Sequence, residues 1–318
     1  MNAARDDSLP ALYRSLYRIR RVEEKIIDVY PSDRVKSPVH LSIGQESVSV
    51  GVCAALAPDD IAFGTYRGHA LYLAKGGDMK RMIAELYGKV DGGSRGKAGS
   101  MHLIDLSANM MGTSAIVATT IPQAVGYAFA LKVRKAKQIV VCFFGEGAMD
   151  EGVAYESLNF AALKQLPILF ICENNHYAIY SHIRERMPHP DPCERAGVFR
   201  IPNERIEGGD TLKIRDASKK AVAKIRAGEG PQFIECMTYR WRDHVGPDED
   251  RKWKYRPDDE LDDWIRRDEL KRLGAMIDAG ERQKIEAAAD AEIAAAFDYA
   301  EASAFPGPEE LATNVFAR

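Results

Sequence analysis

The chain has 318 residues, a formal net charge of −3 and an apolar fraction of 46%. This length can bury a large core in one or two α/β domains, and a charge so near zero gives no reason to expect a nucleic-acid partner. No stretch approaches the roughly 18 apolar residues of a membrane-spanning helix, and residues 1–7 contain acids without an apolar run. We therefore expect neither a membrane protein nor a secretory signal.

The first hundred residues predict helices followed by a long loop. Apolar residues recur at steps of three and four from Leu9 to Ile26, which predicts an amphipathic helix. Further helical stretches are predicted around 44–57 and, as two short helices, over 67–88. Residues 91–115 are rich in Gly, Ser and Met and lack periodicity. A loop of this length inside a compact domain is usually functional or disordered.

The second half of the chain predicts alternating helices and strands. The predicted elements are a helix (about 119–135), a strand (138–144), a helix (150–164), a strand (167–173), a proline-containing surface loop (183–197), a helix (near 211–227), a strand (near 231–238) and an amphipathic helix (279–301). This alternation predicts a parallel sheet with helices on both faces.

The five cysteines are scattered, without CxxC spacing. Cys142 and Cys172 lie within predicted apolar strands, where cysteine behaves as a small core residue. We therefore expect no disulfide framework and a reducing, cytoplasmic location.

Two strand ends of the predicted sheet carry polar residues. Residues 145–147 read Gly-Glu-Gly and residues 173–175 read Glu-Asn-Asn. The carboxyl ends of parallel strands lie on one edge, where ligands of open α/β sheets bind. The glycines permit a close backbone approach, and the helix that follows favours phosphate at its N-terminus.

Glu146 would repel a phosphate unless a divalent cation lay between them. Mg²⁺ prefers oxygen ligands and usually binds one or two protein carboxylates together with phosphates. Asn175 and the backbone carbonyl of Tyr177 offer further oxygens. The residues therefore indicate a metal-bound diphosphate, although Asn and Gly are also common in plain turns.

A dinucleotide fingerprint is an alternative interpretation of the same segment. Gly145 and Gly147 follow a strand, Gly152 comes later, and Glu173 stands where an acid would bind ribose. Against it, Gly152 is two positions too late, and an acid inside a pyrophosphate loop requires a metal.

Residues 145–175 resemble the thiamine diphosphate motif, which opens with Gly-Asp-Gly and closes with Asn-Asn. More specifically, the chain resembles the alpha subunit of the thiamine-dependent dehydrogenase component of 2-oxo acid dehydrogenase complexes, a family that includes pyruvate, branched-chain 2-oxo acid and acetoin dehydrogenases. Further signatures occur in order at residues 40–46 (HLSIGQE), 65–69 (TYRGH), 96–102 (GKAGSMH), 239–244 (YRWRDH) and 309–311 (EEL).

The resemblance implies a thiamine diphosphate-binding α/β fold over residues 1–318, as a single domain with an N-terminal helical extension (about 1–57) and C-terminal helices and tail (about 257–318). It implies that Mg²⁺ is bound by Glu146, Asn175 and the carbonyl of Tyr177. It implies cofactor contacts from Tyr66, Arg67, Gly145, Gly147 and Ala148 on the diphosphate side, and from Ala115, Ile116 and Val117 on the aminopyrimidine side. His244 would face the reacting thiazolium carbon, and His69 would be a second active-site histidine, with His40 nearby.

Some residues depart from the family pattern. Glu146 stands where aspartate is usual, and Met-Asp-Glu at 149–151 replaces a neutral Ala-Asn-Gln. Residues 242–246 lack the usual His-Gly before His244 and the serine after it. Arg184, Arg186 and Arg242 are expected to be exposed loop charges, with Arg184 the one placed near the site. These departures leave the substrate and the lipoyl-transfer step open.

The resemblance also implies a partner. In this family the glutamate that activates the aminopyrimidine comes from a beta subunit, so we expect an alpha-two beta-two assembly. The reaction would be addition of the thiamine ylid to a 2-oxo acid or ketone, C–C cleavage, and transfer of the acyl or aldehyde unit to a lipoyl acyltransferase component or another acceptor. Segments 183–197 and 241–256 are predicted gating loops. The alternatives are a transketolase-like or carboligating enzyme without a lipoyl partner, and a non-catalytic regulatory paralogue.

Overall fold

A six-stranded parallel sheet organises the chain in the computed structural model, which describes residues 5–313. The strand order is β2-β1-β3-β4-β8-β7, and β5 and β6 form a separate small hairpin. The strands are β1 (Ile61–Thr65), β2 (Met110–Ser114), β3 (Val140–Gly145), β4 (Ile168–Asn174), β5 (Tyr177–Ala178), β6 (Ser181–His182), β7 (Asn203–Ile206) and β8 (Gln232–Met237). The predicted domain bounds at residues 1 and 318 lie outside the described residues.

Helices cover both faces of the sheet. They are α1 (Leu9–Val29), α2 (Glu46–Ala54), α3 (His69–Lys75), α4 (Met79–Leu86), α5 (Thr120–Val133), α6 (Gly152–Leu163), α7 (Ile183–Arg186), α8 (Pro192–Gly197), α9 (Thr211–Arg226), α10 (Asp258–Arg266), α11 (Glu269–Gly274) and α12 (Ala279–Ala302). Among the described helices, none is long and apolar enough to cross a membrane.

The side chains of β3 alternate between two hydrophobic cores. Val141 and Phe143 pack in the core that includes residues of α1, α2, α3, α4, α9 and α12. Cys142 and Phe144 pack in the other core, with residues of α5, α6 and α8. A parallel strand that is buried on both faces reads as a continuous apolar run, as 139–144 does. The predicted sheet with helices on both faces is confirmed.

Five short strands (β1, β2, β5, β6 and β7) and two short helices escaped the sequence prediction. β1, β2 and β7 are too short or too polar to give a period-two signal. β2 lies within the predicted loop 91–115, and α7 and α8 lie within the predicted loop 183–197. Asp191 caps α8 and Pro192 occupies its first turn, so this proline begins a helix.

Glu85 orders the glycine-rich loop. Its buried carboxylate accepts backbone N–H groups from Ser94 and Gly96 through Oε2, and from Ala98 and Gly99 through Oε1, over 2.7–3.1 Å. A loop without periodicity is thus held by one acid, because it satisfies four amides at once.

The order in which strands are added to the sheet reverses between β1 and β3. β2 lies beyond β1 on one side, and β4 lies beyond β3 on the other. The crevice at the carboxyl ends of β1 and β3 is therefore a topological switch point, where open α/β sheets bind ligands.

Candidate functional site

A cavity of about 410 Å³ lies at this switch point. Its wall includes Thr65 at the end of β1, Ser114 at the end of β2, Gly145 at the end of β3, and Asn175 after β4. The register pairs Gly145 with Glu173, so the two polar strand ends lie side by side.

The cavity collects the residues that the sequence singled out, except His69. Those that line it are Tyr66, Arg67, Ala115, Ile116, Val117, Gly145, Glu146, Gly147, Ala148, Asn175, Tyr177, His244 and His40.

Glu146 is the buried acid of the cavity. It begins a 3-10 turn, Glu146–Asp150, that joins β3 to α6. Its side chain is almost completely buried, and burial raises the pKa of its carboxyl to about 7. A nearby cation offsets this cost by favouring the charged form, so the position suits a group that holds positive charge.

Asn175 is held in place by its neighbours. Its Nδ2 donates to Gln45 Oε1 at 2.9 Å, and its Oδ1 accepts the Tyr177 N–H at 3.0 Å. An amide oxygen has two lone pairs, so Oδ1 retains one for a ligand. Together with Glu146, this is an all-oxygen donor set of the kind that Mg²⁺ prefers.

Gly147 is required by a close backbone approach. A Cβ on Gly147 would lie 2.8 Å from the Cβ of Ala178 in β5. The hairpin β5–β6 therefore packs directly against the turn that begins at Glu146, and this packing brings Tyr177 to the cavity.

An arginine and three aromatic rings form another part of the wall. Arg67 donates to the carbonyl of Leu41 at 2.6 Å and to the carbonyl of His244 at 3.2 Å. The rings of His40, Tyr66 and His244 lie with centroids 4.5–5.5 Å apart. Three distant signatures of the sequence thus meet at one place.

The two histidines of this cluster are uncharged at neutral pH. Burial, and then the charge of Arg67, lower the pKa of His40 to about 2 and that of His244 to about 3. Burial also lowers the pKa of Arg67 to about 10. A neutral imidazole can accept or donate a proton, and Arg67 remains the cation of this wall.

His69 lies behind the cavity and does not line it. It begins α3 and is completely buried. Its Nδ1 lies 3.1 Å from Glu23 Oε1, and its Nε2 lies 2.8 Å from Ser100 Oγ. Glu23 also accepts the backbone N–H of Ser42 at 2.8 Å. His69 therefore connects α1 and α3 to the end of the glycine-rich loop, one residue before Met101 of the cavity wall.

The expectation that Arg186 is an exposed loop charge is wrong. Its side chain is 15% exposed, and its Nη2 lies 2.7 Å from Glu146 Oε1. Arg184, on the same short helix, is exposed. Arg242 lines a separate depression with Trp241, so the position of the missing family histidine does not face the cavity.

The structure argues against the dinucleotide interpretation. The third glycine of that fingerprint lets the helix pack closely on its strand. Gly152 instead begins α6 after a separate turn, and a Cβ there would have no neighbour within 4 Å. Met149, which lies between Gly147 and Gly152 in the sequence, is completely buried.

Asp243 holds the segment that carries His244 in place through side-chain hydrogen bonds. Its Oδ2 accepts the indole N–H of Trp253 at 3.0 Å, and its Oδ1 accepts the hydroxyl of Tyr180 at 3.2 Å. Asp243 occupies a position where a glycine was expected from the resemblance, and its side chain ties the loop to the β5–β6 hairpin.

Sequence reasoning missed several residues of the site. Gln45 and Met101 line the cavity, and each lies inside a motif that had been recognised. Glu173, which was assigned a role only in the dinucleotide interpretation, also lines it. Burial raises the pKa of Glu173 to about 7. Arg186 had no such signal, because only folding brings it to Glu146.

Comparison with known proteins gives one consistent result. Residues 14–309 match the family described as dehydrogenase E1 component. The alpha subunit of acetoin:2,6-dichlorophenolindophenol oxidoreductase from Bacillus subtilis is 34% identical over 96% of this chain and 92% of its own length. The pyruvate dehydrogenase E1 component subunit alpha of Zymomonas mobilis is 37% identical over 97% of this chain and 88% of its own length.

Proposed function

Because this chain belongs to the dehydrogenase E1 component family, we propose that it is the alpha subunit of a thiamine diphosphate-dependent 2-oxo acid or acetoin dehydrogenase. The observation that carries the proposal is the meeting of Glu146, Asn175 and Arg67 in one cavity at the switch point. An acid, an amide and an arginine from three separate strand ends suit a metal-bound diphosphate better than a plain turn.

The residues of the cavity fit this cofactor. Glu146, Asn175 and the carbonyl of Tyr177 would hold Mg²⁺, and Tyr66 and Arg67 would bind the diphosphate. Gly145 and the N–H groups of Gly147 and Ala148 complete that side, because the first amides of a helical turn have no partner within it. Ala115, Ile116 and Val117 also line the cavity and would contact the aminopyrimidine.

Bound thiamine diphosphate supplies an acceptor for the electron pair released when a C–C bond next to a carbonyl breaks. The chain contributes orientation and proton transfer. His244 lines the cavity as a neutral base, and we assign it to proton transfer at the reacting end of the substrate. His40 packs against it and restricts its ring. His69 acts from behind this wall, by holding the end of the glycine-rich loop.

A beta subunit would complete the site by supplying the glutamate that activates the aminopyrimidine. Ile116 and Val117 at the cavity mouth are 67% and 45% exposed. Phe129 and Phe160, on neighbouring faces of α5 and α6, are also exposed. Exposed apolar patches of this kind mark interaction surfaces. We propose an alpha-two beta-two assembly in the cytoplasm, with transfer of the product unit to a lipoyl acyltransferase component.

The test is turnover by this chain assembled with a beta-type partner. Pyruvate, branched-chain 2-oxo acids and acetoin should be screened with an artificial electron acceptor, with and without thiamine diphosphate and Mg²⁺. We expect turnover only in the assembled complex with both additions. Full turnover by this chain alone would contradict the shared site.

A matched pair of variants tests the metal position. Glu146→Gln keeps the shape and removes the charge, so we expect activity to fall about 100-fold or more with weaker cofactor binding. Glu156→Gln, on the exposed face of α6, should leave both unchanged. If Glu146→Gln behaves like this control, Glu146 is not a metal ligand.

A further inference from the structure

The turn from Glu146 to Asp150 concentrates negative charge at the proposed diphosphate position. Glu146, Asp150, Glu151 and Glu173 all line the cavity. Arg67 follows β1, and its guanidinium donates to the carbonyls of Leu41 and His244. The acids of the turn would repel a diphosphate brought to it, so the charge of the turn needs a local balance.

Arg186 provides that balance. Its Nη2 lies 2.7 Å from Glu146 Oε1, its Nη1 pairs with Asp150, and its Nε donates to the carbonyl of Ser181 at 3.3 Å. One guanidinium thus bridges both acids of the turn and is tied to the β5–β6 hairpin. A fork of this kind is specific to arginine, because lysine presents only a single point of charge.

The same guanidinium borders the diphosphate turn. Nη1 would lie 3.8 Å from a Cβ on Gly147, whose N–H is one of the proposed diphosphate donors. Only Oε1 of Glu146 is engaged by Arg186, so Oε2 remains for a metal ion. Arg186 and a divalent cation can therefore share this carboxylate, and their charges repel while they do.

We infer that Arg186, which lies behind the turn and does not line the cavity, is a positioning residue of the cofactor site, whose charge beside Glu146 and Asp150 strengthens binding of the diphosphate and weakens binding of the divalent cation. This inference rests on the proposed function. Its two effects have opposite signs, because a positive charge beside Glu146 attracts an anion and repels a cation. A residue that merely supported the fold would change both affinities in the same direction.

The experiment compares Arg186→Gln with Arg184→Gln in the complex of this chain with its beta-type partner. Arg184 is the matched control, since it lies two positions away on α7 and is exposed. Thiamine diphosphate binding is titrated calorimetrically at saturating Mg²⁺, and Mn²⁺ binding is measured by electron paramagnetic resonance without diphosphate. Thermal unfolding of the ligand-free complexes checks folding.

For Arg186→Gln we expect thiamine diphosphate to bind about tenfold more weakly, since the two acids of the turn would lose the positive charge that offsets them, and Mn²⁺ to bind more tightly. Asp150→Asn, which removes an acid instead, should tighten thiamine diphosphate binding. Arg184→Gln should match the unmodified complex in every measurement. Any other pattern for Arg186→Gln, including a parallel loss of both ligands or equality with Arg184→Gln, overturns the role of Arg186. If the unmodified complex binds no thiamine diphosphate, the proposed function fails, and the inference fails with it.

Discussion

Arg67 and His69 are two residues apart in the sequence, yet they lie in different environments. Arg67 lies on the cavity wall, whereas His69 is completely buried between Glu23 and Ser100. The chain leaves β1 in an extended conformation and then turns into α3, whose first residue is His69. Side chains on either side of this turn therefore point to different places. Membership of one short motif does not imply one role, and the two residues should respond differently to substitution.

The largest effect is expected at His244, which, unlike His69, lines the cavity. His244→Asn removes the proposed proton-transfer group, and general acid–base catalysis contributes about 100- to 10,000-fold. We expect kcat of the assembled complex to fall by at least about 100-fold, with thiamine diphosphate affinity changed much less. Steady-state kinetics and calorimetry make the comparison. A variant that loses cofactor binding and kcat equally would instead mark His244 as a binding residue.

Arg67→Gln should act mainly on cofactor affinity. It removes the proposed charge-assisted contact to the diphosphate, so we expect binding about 10- to 100-fold weaker. Arg67→Lys should recover only part of this loss, because lysine cannot contact both carbonyls of Leu41 and His244 in the same geometry. Unchanged cofactor affinity in Arg67→Gln would show that Arg67 does not bind the diphosphate.

His69→Ala should act mainly on stability. The substitution leaves a cavity and removes a hydrogen-bond partner from the buried Glu23. Together these changes should lower the free energy of unfolding by about 2–4 kcal/mol. Chemical denaturation of the assembled complex measures this loss. The cofactor affinity of the folded fraction should change far less than in Arg67→Gln. A large fall in kcat without any loss of stability would contradict this structural role and indicate that His69 acts in the active site.

The smallest effect is a dependence of stability on pH. The folded pKa of His40, about 2, lies below its usual value of 6.5. The unfolded chain therefore binds more protons below pH 6.5, and stability falls as the pH drops from about 6.5 toward 4. One histidine contributes at most about 1.4 kcal/mol per pH unit. Denaturation at pH 7, 6, 5 and 4 should show a shallower slope for His40→Asn than for the unmodified complex. Parallel slopes would contradict the lowered pKa of His40.

Much of the molecule could be predicted from short-range patterns. The apolar run before Gly145 and the run before Asn174 predicted two central strands, and the i, i+3, i+4 spacing from Leu9 to Ile26 predicted α1. Polar residues directly after those strands predicted that both strand ends meet at the carboxyl edge of the sheet, where they line one cavity. These predictions succeeded because each depends on a few neighbouring residues, whose burial pattern is visible in the sequence.

Other features depended on contacts between distant residues. β1 and β2 are short, and β2 contains Gly112 and polar residues, so neither gives a strong strand signal. Glu85 orders a loop that follows it in sequence, yet nothing in the loop itself predicts that it is ordered. In both cases the structure of a segment can be explained only when the residues that contact it in the fold are known.

The amino-acid sequence by itself determined the α/β class, the alternation of helices and strands, and the two polar strand ends to which we assign the metal and the diphosphate. These are local consequences of burial and of strand direction. The tertiary structure alone decided that His69 lies behind the wall, that Arg242 faces away, and that Arg186 reaches Glu146. For His69 and Arg186 these outcomes depend on how α3 packs against α1 and α2, and on how α7 packs against β6 and the turn from Glu146 to Asp150. The direction of a side chain is decided by that packing and not by its place in a motif.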